Sequence, residues 1–401
     1  MMIPSPPLRL FIGVLLGWML AVPAAPIQAQ DGRSLDLTIR NYGLSVGNAP
    51  RVNGVRLNYR DRGLVRVNGL NATLWRPHER SENRGVTGVV NGVALGVPAT
   101  GAATLNGVAV GVVGIEANES VRGVVVGGVG TGAGENVSGI AIGGLGLGAG
   151  EQFAGVGIGG LGLGVGEDVR GIALGGLYVG AGEDIRGIVL GGLGAGAGES
   201  LHGLALGGLG VGAGETIRGI TVGGVGIGAG EHLSGIALAL VGIGAGERMT
   251  GVAASGVGVG AGEHLSGIAL APVGIGAGER MTGVAASGVG VGAGEHMKGL
   301  FAAGVGIGSK AITGVAVGAA VGSERYTGLG VAPAYFRIND GGRLRGVSVS
   351  AFNYITGTQQ GLTIGIFNFA RVLNGVQLGV LNYAANNPMW LRLLPGLNVN
   401  L

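Results

Sequence analysis

The chain has 401 residues, of which 94 are glycine; 12 % are charged, 4 % aromatic and 47 % hydrophobic, with no cysteine and a formal net charge of +3. The charge is too small and too scattered for a nucleic-acid surface, and the absence of thiols removes disulfides, thiolate metal sites and cysteine nucleophiles. Glycine without a strict triplet period excludes collagen, and its mixture with Val, Ile and Leu supplies the apolar surface that a disordered chain lacks.

Residues 1–29 read as a secretory leader. Arg9 precedes the apolar run Leu10 to Val22, Pro23 breaks it, and Ala29 offers a small residue for cleavage. Thirteen apolar residues fall short of the ~20 that span a bilayer as a helix. From Leu35 to about Gly92 the chain reads as short strands punctuated by Asn53-Gly54 and Asn68-Gly69, a terminal cap for the repeats beyond it. His78 sits in the polar loop Arg76 to Arg84 with no second ligand nearby, so it reads as a solvated loop residue.

From Glu119 to Gly299 the chain is periodic, in units of one fixed length. One unit is Gly166-Glu-Asp-Val-Arg-Gly-Ile-Ala-Leu-Gly-Gly-Leu-Tyr-Val-Gly-Ala181, and glutamate returns at 167, 183, 199 and 215. Such a period marks a stack in which each unit buries its apolar side on its neighbours. With Gly166 as position 1, apolar residues fall at 4, 7, 9, 12, 14 and 16. The spacing is two within 7–9 and 12–14–16 but slips by one across Gly175-Gly176, which predicts a corner there. The blocks 231–262 and 263–294 are identical except for Leu240 against Pro272. Proline is excluded from central strand interiors, so its acceptance at position 11 also marks a corner.

Two architectures fit such units. The first is an all-β solenoid with one ~16-residue coil per unit, two short strands per coil and a dry core of Ile, Leu, Val and Ala. The second is an outer-membrane β-barrel with one strand per unit. A barrel needs aromatic girdles and faces of opposite polarity, yet Phe153 and Tyr178 are the only aromatics between Glu119 and Gly299. The solenoid is therefore expected, with twelve or thirteen coils of ~4.8 Å giving a rod on the order of 60 Å. The alternating ending Leu397-Asn-Val-Asn-Leu401 keeps the barrel as the alternative. In a solenoid the glycines at 11, 13 and 15 would leave one face bare and flat.

The glutamate column is the most chemical feature of the array. Stacked carboxylates repel and could draw a divalent cation. Where position 3 is acidic, as at Asp168 and Asp184, position 5 is Arg170 or Arg186, so local compensation and a solvated charged edge are expected instead. His232, His264 and His296 lie two coils apart, ~10 Å, too far to share a metal. Ser255 and Ser287 fall at the corner with no partner base, and they read as corner residues.

Beyond Gly299 the spacing loosens and the units become Gly346-Val-Ser-Val-Ser-Ala-Phe-Asn-Tyr354, Gly361-Leu-Thr-Ile-Gly-Ile-Phe-Asn-Phe369 and Gly375-Val-Gln-Leu-Gly-Val-Leu-Asn-Tyr383. Asparagines repeated at one position can form ladders. These units resemble the leptospiral-type bacterial surface-repeat proteins, with good agreement over about 340–401 and partial agreement over 50–110. The array departs from that pattern, since Gly-Ala-Gly-Glu replaces its asparagine. The resemblance implies a cell-surface location more than an activity.

The chain thus divides into a leader (1–29), a β flank or cap (30–92), the array (93–313) and degenerate C-terminal repeats (314–401). No P-loop, zinc-protease motif or nucleophile elbow in a strand-turn-helix setting is present, and Gly-x-Gly-x-x-Gly arises by chance in so glycine-rich a chain. No catalytic, cofactor-binding or metal-binding residue is singled out. The expected function is non-enzymatic: an exported protein of a bacterial surface or outer membrane, working as a structural rod or adhesin-like surface, with an integral barrel as pore or anchor the alternative. Its partner would be a surface or envelope component or a copy of itself. Membrane contact is compatible with this reading, and nucleic acid is not.

Overall fold

A computed structural model describes residues 34–77 and 86–400 of the chain. The leader and His78 lie outside the described residues. What is described is a β-solenoid. Most units of the strict repeat contribute one eight-residue strand, such as Asp168–Gly175, and one four-residue strand, such as Tyr178–Ala181. Between them the chain turns at Gly176-Leu177, the corner expected from the double glycine.

Successive coils stack parallel and in register: Val169 pairs with Ile185, Gly171 with Gly187 and Val179 with Ala195. The alternative barrel, whose neighbouring strands are antiparallel, is therefore not what the chain forms. The ladder also runs through the corners. Leu177 N–H donates to the Leu161 carbonyl (2.6 Å) and Glu183 N–H to that of Glu167 (3.0 Å), so the turns do not strand buried backbone groups.

The stack is longer than the strict repeat. Arg51–Asn58, Arg66–Thr73 and Val89–Gly96 pair parallel with one another and lead into the array, and the pairing crosses residue 92 without a break. Beyond Gly299 the same glycine column continues at Gly314, Gly328, Gly346, Gly361 and Gly375, each at positive φ and each seated on its predecessor's carbonyl. About twenty coils at ~4.8 Å make a rod of roughly 100 Å. Both ends change direction. Leu35–Ile39 pairs antiparallel with Tyr42–Val46, and Leu393–Asn400 pairs antiparallel with the strand at 375–383.

The interior corrects the expected core. Position 4 is buried, as at Val169, Ile185, Leu201 and Ile217, together with Ala173 at position 8 and Val179 at position 14. Alanine at position 16 is buried in most coils. The bulkier residues at positions 7, 9 and 12 point outward instead. Strand alternation puts 4, 8 and 10 on one side and 5, 7 and 9 on the other, and the small alanine and glycine of that inner set let the two strands of a coil close on each other.

Phe153 shows how tight the interior is. It takes position 4 with no exposure, and Gly157 replaces the usual small side chain at position 8. A Cβ at Gly157 would lie 2.7 Å from Phe153 Cζ and 2.6 Å from Leu163 Cδ1. Gly157→Ala is expected to cost about 1–3 kcal/mol by overpacking, and Phe153→Val in the same chain should restore most of it. Thermal melts of the single and double variants check this.

Polar interiors mark the two ends. Near the first coils Arg56 is fully buried and pairs with Asp61, which also accepts from Thr73 Oγ1 (2.8 Å) and Asn71 Nδ2 (3.1 Å). At the other end Asn353, Asn368 and Asn382 form a buried ladder with 2.7 Å steps, and Tyr354, Phe369 and Tyr383 stack beside it at 4.9 and 5.3 Å. The asparagine ladder expected from the C-terminal units is present. A second one, Asn53, Asn68, Asn91 and Asn106, runs along the outside of the first coils.

Candidate interaction face

The outward columns build the most extensive feature of the surface. Position 7 contributes Ile172 and Ile188, position 9 Ile158 and Leu174, and position 12 Leu161 and Leu177; most are more than a third exposed. Alternation fixes the first two columns and the corner turns the third outward. The face therefore reads, across its width, as an apolar ridge, a floor made by the paired glycines at 10 and 11, and a second ridge.

Over five coils the floor forms an open trough of about 770 Å³ between Ile158 and Val222, lined by leucines and by pairs such as Gly175-Gly176. Where the floor is glycine, its backbone lies too close to the preceding coil for a Cβ. A Cβ at Gly176 would come within 1.9 Å of the Gly160 carbonyl oxygen. Farther along, the trough is interrupted, since Leu240 and Pro272 occupy position 11 and Leu240 is 75 % exposed. Apolar patches beyond a few hundred Å² are unusual on a monomer and mark contact surfaces.

The adjoining face is bare, as the glycines at positions 13 and 15 anticipate, while those at position 11 lie on the trough floor instead. At Gly164, Gly228, Gly244 and Gly260 an added Cβ would meet nothing within 4 Å. Tyr178 lies across part of it, its ring 52 % exposed and its hydroxyl close over Gly196. Burial against these glycines raises the Tyr178 phenol above its ordinary range.

The glutamate column is a solvated edge. Arg170 binds Asp168 and Arg186 binds Asp184, each at 2.7 Å, as the alternation of charges anticipates. His232 approaches Glu231 and Glu247 at 3.7 and 3.9 Å, and His264 approaches Glu279 at 3.8 Å. Among the described residues no group of three or more His, Asp or Glu could hold a metal. Ser255 and Ser287 donate to the carbonyls of Gly258 (2.8 Å) and Val273 (2.9 Å), which accounts for them at the corner.

Glu183 is held above the usual carboxylate range, by desolvation first and then by Glu167, Glu199, Asp168 and Asp184. A carboxyl whose folded pKa is raised binds its proton more tightly in the folded state. Its penalty is therefore present at neutral pH and relieved as pH falls through the raised folded value. Glu183→Gln is expected to raise the melting temperature at pH 7, with a gain that shrinks as salt screens the ladder and vanishes at acid pH. Melts across pH and ionic strength check this.

Sequence reasoning missed the outward ridges. The available signal was parity: counting in twos from position 4 puts 8 and 10 inside and 7 and 9 outside. In comparisons with protein-family models, curated proteins and solved structures, none matches the chain.

Proposed function

We propose that the protein is a non-enzymatic, exported rod of a bacterial surface or envelope that works through its long faces, as a spacer, coat or adhesin-like surface. The carrying observation is the outward placement of Ile172, Leu174 and Leu177 and their equivalents, which leaves an apolar stripe along a stack that needs none of it for its own core. The leader-like stretch 1–29 and the likeness of 340–401 to leptospiral-type surface repeats support the location. A solenoid suits a mechanical or display role, because its length grows by repetition and its faces stay regular.

The test is location in the native host. Antibody detection after cell fractionation should place the protein in the envelope, and protease added to intact cells should remove it. A protein recovered wholly from the cytoplasm, resistant to external protease, would sink the reading.

A further inference from the structure

The apolar face is unequal along its length, and the inequality is self-complementary. Toward the N-terminal side the floor is open over Gly191-Gly192, Gly207-Gly208 and Gly223-Gly224; toward the C-terminal side Leu240 and Pro272 rise from the same column. We propose that this face is a dimer interface with a second copy of the chain, joined antiparallel, in which Leu240 and Pro272 of each copy fill the glycine trough of the other. This rests on the reading of the long apolar face as the working surface.

The symmetry follows from packing. When two such faces meet, ridge lies on ridge and the opposed glycine floors leave a tunnel between them. An unfilled tunnel forfeits dispersion contacts along its whole length. In a parallel pair, Leu240 would meet Leu240 and the trough would stay empty. A twofold axis across the rod, between the Gly223-Gly224 coil and the Leu240 coil, sets Leu240 over Gly223-Gly224 and Pro272 over Gly191-Gly192, and the reverse for the second copy. Such an interface is isologous and closes at two. The spacing matches because both copies share one coil rise, ~4.8 Å.

The area is sufficient. Five residue steps from position 7 to position 12 at ~3.3 Å, times ~4.8 Å per coil, give ~80 Å² per coil. Ten coils reach the ~800 Å² per partner of a standard stable interface, and the array alone has twelve glutamates in step. A lipid surface is the poorer occupant. Interfacial binders carry aromatic and an excess of basic residues around the apolar face, whereas here the arginines of the strict array are matched by a glutamate in every coil and Tyr178 is its only exposed aromatic.

Sedimentation velocity on the purified full-length chain tests this, with circular dichroism to verify folding. The wild type should sediment as a dimer. Leu240→Lys with Pro272→Lys should weaken dimerisation more than tenfold, as should Leu190→Glu with Leu206→Glu on the trough wall. Glu215→Lys with Glu247→Lys, on the solvated glutamate edge, should leave it unchanged. Mixing the two disrupted variants should restore a dimer, because lysine knobs then enter a glutamate-walled trough while the reciprocal contact is native. A wild type that stays monomeric to about 100 µM, far above a useful Kd, overturns the proposal, as does a mixture that fails to reassociate. Monomers that instead bind phosphatidylcholine vesicles through Leu240 also overturn it, assigning the face to lipid. In either case protease accessibility on intact cells still decides the surface-rod reading separately.

Discussion

Gly187→Ala is expected to split the unfolding of the rod into two transitions. Gly187 has φ +136°, and a Cβ there would lie 2.0 Å from the Gly171 carbonyl oxygen and 2.9 Å from its carbon. Both are backbone atoms locked in the ladder, so no side-chain rotation relieves the clash. Backbone strain alone costs about 1–3 kcal/mol for a non-glycine residue in such a region, and moving the ladder adds the pairing between two coils. In a stack held by nearest-neighbour contacts that loss stays at one seam. Calorimetry should show two transitions, and amide exchange should accelerate around 171–187 first. Gly228→Ala is the control. It has open space and no positive φ, so it should be neutral or stabilising by ~0.5–1 kcal/mol through the unfolded state. A single unshifted transition for Gly187→Ala would contradict this account of the glycine column.

Arg56→Met should destabilise the N-terminal coils by about 3–5 kcal/mol, because it leaves the Asp61 carboxylate buried without its cation. Arg56 is fully enclosed. Its Nε donates to the Ala49 carbonyl (3.0 Å) and its guanidinium to Asn71 Oδ1 (2.8 Å) and to Asp61. The double variant Arg56→Met/Asp61→Leu should recover a large part of the loss, since replacing a whole buried pair by apolar groups is far milder than breaking it. The effect should be local: limited proteolysis would cut sooner between 50 and 75, while the array's main transition moves little. Equal losses in the single and double variants would show that the pair is not coupled in this way.

The period, the parallel stacking and the corner at the double glycine were legible because each is a statement about backbone. The corner is the clearest case, since Pro272 standing for Leu240 in otherwise identical blocks locates a position that donates nothing to a strand interior. Sidedness was less legible. Hydrophobicity alone assigns Ile172, Leu174 and Leu177 to a core, yet so short a coil encloses too little space for them. Ala173, Gly175 and Val179 fill it instead. The flanks carry the stack on with a different chemistry. Their asparagines, polar by composition, are ladder-forming groups as regular as the apolar columns they replace.

The identical blocks at 231–262 and 263–294 have a consequence for how the molecule can vary. The seams within and beside these blocks all have the same register, so a crossover between the two DNA copies that removes or adds one whole block rejoins native pairing on both sides. The reversed strands at 35–39 and 393–400 are untouched by such an event, and their opposite polarity discourages another chain from continuing the parallel ladder. The molecule is in effect a ruler with finished ends, whose reach unequal recombination can reset in steps of ~10 Å.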